Sequence, residues 1–98
     1  RDTVMEIKIT HKHPQSKMGH PVFLINGQPV TQAEGLSAAL TRLGWTRDDL
    51  TMAWGYTNPR SVHRFFLTRE PLKIPANLLN MLAVELDEVR KFDDQHAN

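Results

Sequence analysis

Arg60 and Arg64 stand four residues apart, accompanied by Ser61 and His63, in a segment whose remaining positions are apolar. Val62, Phe65 and Phe66 follow the i, i+3, i+4 spacing of a helix with one buried face, which turns both guanidinium groups outward. A guanidinium can donate two parallel hydrogen bonds to a guanine edge or a phosphate, while serine and histidine make less selective contacts. A helix packed by three apolar residues and presenting two arginines is shaped to lie in a DNA groove. A plain solvated helix face would carry the same charges, so the neighbouring residues matter. Thr57 and Asn58 stand at the entrance to this helix, placed to touch phosphate or to cap it. Arg47 upstream and Lys73 downstream are further candidates for phosphate contacts.

Other chemistries find less support. His11, His13 and His20 suggest a metal site, since a His-x-His pair on a strand puts both imidazoles on one face. The chain has no cysteine and the segment 11–20 no acidic residue, so a polar loop is the expectation. No metal and no cofactor are expected. Catalysis lacks a glycine-rich phosphate loop, a cysteine or a serine in a nucleophile elbow. Asp48 and Asp49 are adjacent and point to different sides of a helix, which is not a paired-carboxylate site. No enzyme is expected. Trp45 and Trp54 read as packing residues.

The elements around these residues follow from local signals. Met5 to Thr10 alternates apolar and polar, the period of a half-buried strand. Val22–Ile25, an Asn26-Gly27 turn and a short arm ending at Val30 match a tight hairpin, with Pro29 confining that arm to an edge. Thr31 and Glu34 form a capping-box pattern, and Leu36, Ala39, Leu40 and Leu43 give a helical stripe ending at Gly44. Thr46 starts a second helix, whose apolar side is assigned to Leu50, Met52, Ala53 and Trp54 and whose end is Gly55. Asn58 offers an N-cap with Pro59 at the first helical position. After a loop, Pro75 opens a final helix with Leu78, Leu79, Leu82, Leu86 and Val89 along one side. The polar residues 93–98 are expected to be a disordered tail.

Ninety-eight residues make one domain that buries roughly 65% of its unfolded surface, enough to fold without staples. No apolar run approaches the roughly 18 residues of a membrane span, and no signal-peptide pattern is visible, so a cytoplasmic protein without a membrane partner is expected. The net charge of +1 is unevenly spread. Residues 42–73 carry six basic and three acidic side chains, and residues 76–98 carry two basic and five acidic. The basic excess thus coincides with the two-helix unit, where a phosphate backbone would be met.

The arrangement from Thr31 to about Phe92 resembles the Cro/repressor-type helix-turn-helix DNA-binding domains of phages and bacteria. The residues carrying the resemblance are Thr46, Leu50, Gly55, Tyr56, Val62 with Phe65, and the Ile74-Pro75 pair. Two positions depart from the family pattern: Thr51 replaces a usual alanine, and the turn 55–62 is one residue longer. The resemblance implies a mostly α domain of four or five helices over 31–92; the extended segment 5–30, with the short β-strand pair read from the local signals above, has no counterpart in the minimal family domain. It implies a homodimeric, repressor-like transcriptional regulator that binds double-stranded DNA through the helix after the turn. The strand pair and the final leucine-rich helix are the two candidate dimer surfaces. The alternative is a protein-interaction module that keeps the fold without binding DNA.

Overall fold

The computed structural model describes residues 6–14, 16 and 21–96. Strands β1 (Ile7–Thr10), β2 (Val22–Ile25) and β3 (Gln28–Val30) form one antiparallel sheet in the order β1-β2-β3. The expected strand pair is therefore a three-stranded sheet. Asn26 and Gly27 both adopt positive φ, 51° and 83°, which a two-residue hairpin turn of matching twist requires. The Asn26 side-chain oxygen also accepts from the Glu6 N–H at 2.9 Å, tying the start of β1 to that turn. Ile7 stands opposite Ile25, Ile9 opposite Phe23, and Phe23 opposite Val30, so these residues share one face. That face folds back onto the helices, and Phe23 is buried. Pro29 lies on the edge strand, where its missing N–H leaves no ladder bond unmade.

Helix α1 (Gln32–Leu43) is capped by Thr31, whose hydroxyl oxygen accepts from the Glu34 N–H. The hydroxyl proton goes to the Glu34 carboxylate at 3.1 Å. The fully reciprocal box forms instead at Thr46 and Asp49, opening α2 (Arg47–Ala53), with bonds of 3.1 and 2.8 Å. Leu36, Ala39 and Leu40 bury the inner face of α1, and Gly44 ends it at φ 73°. Gly35 lies where α1 crosses β2. A β-carbon built there would sit 2.3 Å from Phe23 Cγ and 2.4 Å from its Cβ, atoms too near the backbone to swing away. Gly35→Ala should therefore destabilise the fold by about 1–2 kcal/mol, because overpacking outweighs the gain in helix propensity. Thermal unfolding checks this. A stabilised variant would mean that α1 and β2 lie farther apart.

Two assignments need correction on α2. Met52 is 77% exposed and Ala53 is exposed, whereas Thr51 is buried beside Leu50 and Trp54. Residues two apart on a helix face opposite sides, so Leu50 and Met52 cannot share a core face. Thr51 buries its hydroxyl without penalty by donating to the Arg47 carbonyl at 2.8 Å.

Helix α4 (Ala76–His96) packs on α1 and β1 through Leu78, Leu79, Leu82 and Leu86. The expected tail at 93–98 is helical as far as His96, because Asp93 pairs with Arg42 near the end of α1. Asp87 accepts from Arg90 and Lys91, and these hydrogen bonds hold its carboxyl below the usual aspartate value. Among the described residues, no helix is long and apolar enough to cross a membrane.

Candidate nucleic-acid interface

Between α2 and α4 the chain makes a turn, a short helix α3 (Arg60–His63) and a 3-10 turn over Arg64–Phe66. Gly55 makes that first turn possible at φ 80°. Asn58 then caps the segment: its side-chain oxygen accepts from the Arg60 N–H at 2.9 Å. Pro59 already has helical angles, φ −56° and ψ −24°, and so occupies the first helical position. The Asn58 side chain is thus engaged in capping, and Thr57 before it is exposed.

Val62, Phe65 and Phe66 are all buried, while Arg60, His63 and Arg64 are exposed and Ser61 is half-buried. Phe65 fixes this rotation. Its ring meets Trp54 edge-on at 5.5 Å and Tyr56 at 6.3 Å, locking the segment against α2 and the turn. The expected continuous α-helix gives way to a 3-10 turn at Arg64 and ends at Phe66, where two carbonyls bond outside the helix. The Arg64 carbonyl accepts from the Leu72 N–H at 3.0 Å, and the Phe65 carbonyl from the Gln32 side chain at 3.0 Å. Gln32 donates its other amide proton to the Leu72 carbonyl at 2.8 Å. One glutamine on α1 thereby secures both the end of the short helix and the loop behind it.

The candidate residues fall into two groups. Arg47 joins the 60–64 segment directly, since its guanidinium lies 4.1 Å over the Phe66 ring and 3.2 Å from His63 Nδ1. Lys73 is placed elsewhere, lining a groove with His11, Pro21, Pro75 and Ala76 where the sheet meets α4. Gln32 was not among the candidates, because its partners lie 33 and 40 positions away. β1 ends at Thr10, so His11 and His13 lie beyond the strand, and His20 is outside the described residues. Among the described residues no group of three or more metal-ligating side chains occurs. No family model, curated protein or solved structure matches this chain.

Proposed function

We propose that this chain is a helix-turn-helix protein that binds double-stranded DNA sequence-specifically, as a small repressor-like regulator. The observation that carries the reading is a capped, outward-facing basic segment braced from behind. Arg60 and Arg64 are exposed while Val62, Phe65 and Phe66 are buried under them. In this reading α2 and the 59–66 segment are the two helices of the motif, and Arg60, Ser61 and Arg64 meet base edges. Arg47 and Thr57 meet phosphates, and Asn58 caps the segment.

One short segment touches too few base pairs for useful selectivity, so we propose that the protein acts as a homodimer on an inverted repeat. Pairing through Val22–Ile25 has no free backbone edge, because β1 and β3 flank β2 on both sides. Met81 and Val84, 45% and 59% exposed on α4, make the final helix the better dimer surface.

Salt dependence tests the reading. Affinity for duplex DNA should fall steeply as ionic strength rises, by about tenfold or more between 50 and 200 mM salt if several phosphates are contacted. The alternative, an interaction module that does not bind DNA, requires no retention of the chain on duplex even at low salt.

A further inference from the structure

Arg47 is an exposed arginine with an ordered guanidinium, and its order comes from the segment that follows the turn. Its Cζ lies 4.1 Å over the face of Phe66, and its Nη1 lies 3.2 Å from His63 Nδ1, sixteen positions further along the chain. A guanidinium only donates, so Nδ1 is the acceptor in this contact. Phe66 takes one face of the guanidinium and His63 one of its N–H groups, leaving the remaining donors for a ligand. Arg60 and Arg64 have no corresponding brace in their own segment's first turn, where Asn58 spends its side chain on the backbone.

We propose that His63 is a positioning residue for Arg47, holding the guanidinium against Phe66 so that its free donors meet a DNA phosphate, and that His63 does not itself contact DNA. This rests on the DNA-binding reading above. The gain is pre-organisation: a long side chain already fixed loses less freedom on binding, an effect worth roughly twofold to tenfold in affinity. The arrangement also gives a role to a histidine whose position otherwise suggests contact with bases.

The test is a double-mutant cycle on duplex affinity with the full chain, with melting curves to establish that each variant is folded. His63→Ala should weaken binding roughly twofold to tenfold. His63→Asn, which keeps an acceptor near the position of Nδ1, should restore it. Arg47→Ala should weaken binding at least as much, and adding His63→Ala to it should cost nothing further. Additive losses would mean that His63 touches DNA by itself, and unchanged binding in either single alanine variant would remove the coupling. Either result overturns the proposal while leaving DNA binding intact. Only a wild-type chain that binds no duplex at low salt would remove the DNA reading as well.

Discussion

Phe65→Ala is expected to lower the stability of the fold by about 3–5 kcal/mol, the range for truncating a fully buried aromatic ring. Phe65 is 1% exposed and sits between Trp54 and Tyr56, with its own carbonyl held by Gln32. Losing the ring leaves a cavity where α2, the turn and the short helix meet. Leu36, Leu50 and Val62 belong to the same core and are fully buried, so the surrounding packing is dense. A domain of this size has a total stability of only about 5–15 kcal/mol, so the variant should melt far below the wild type and could lose its cooperative transition. Arg60→Ala, on the exposed side of the same segment, should leave the melting curve nearly unchanged. The opposite order of effects would mean that the segment is rotated, with its basic side turned inward.

Arg64→Ala should cost about 1–3 kcal/mol in binding to a preferred duplex, the worth of one bidentate contact with a base. Binding to unrelated duplex should fall much less, because a base contact contributes little where the base is wrong. The expectation depends on where the 3-10 turn begins. Arg64 is its first residue and remains exposed, with its carbonyl, not its side chain, bonded to the following loop. Equal losses on both duplexes would make Arg64 a phosphate contact. No loss on either would remove it from the interface.

Much of this arrangement is written in local signals. The Asn26-Gly27 turn, the ends of α1 at Thr31 and Gly44, and the Asn58-Pro59 start need only neighbouring residues to specify them, and each lies where its chemistry requires. The spacing of Val62, Phe65 and Phe66 likewise reports which face is buried. What stayed hidden depends on contacts between distant parts of the chain. The pairing of β1 with β2 spans the intervening loop, so local signals marked the three extended segments but not their assembly into one three-stranded sheet. Gln32 looks like any polar first-turn residue until the carbonyls of Phe65 and Leu72 are seen beside it. The bond to the Phe65 carbonyl also helps to stop the helical segment after Phe66, which no pattern within 60–66 reveals. The close approach of Gly35 to Phe23 is invisible for the same reason. The Met52 assignment was different in kind: helical periodicity alone separates it from Leu50.

Sequence-specific recognition of duplex DNA is best tested by selecting bound duplexes from a random-sequence pool. One defined motif should be enriched, arranged as an inverted repeat with half-sites about one helical turn, roughly 34 Å, apart. The enrichment should be lost for the Arg64→Ala chain. A pool that remains random after repeated rounds at low salt, with the folded wild-type chain, would contradict the account.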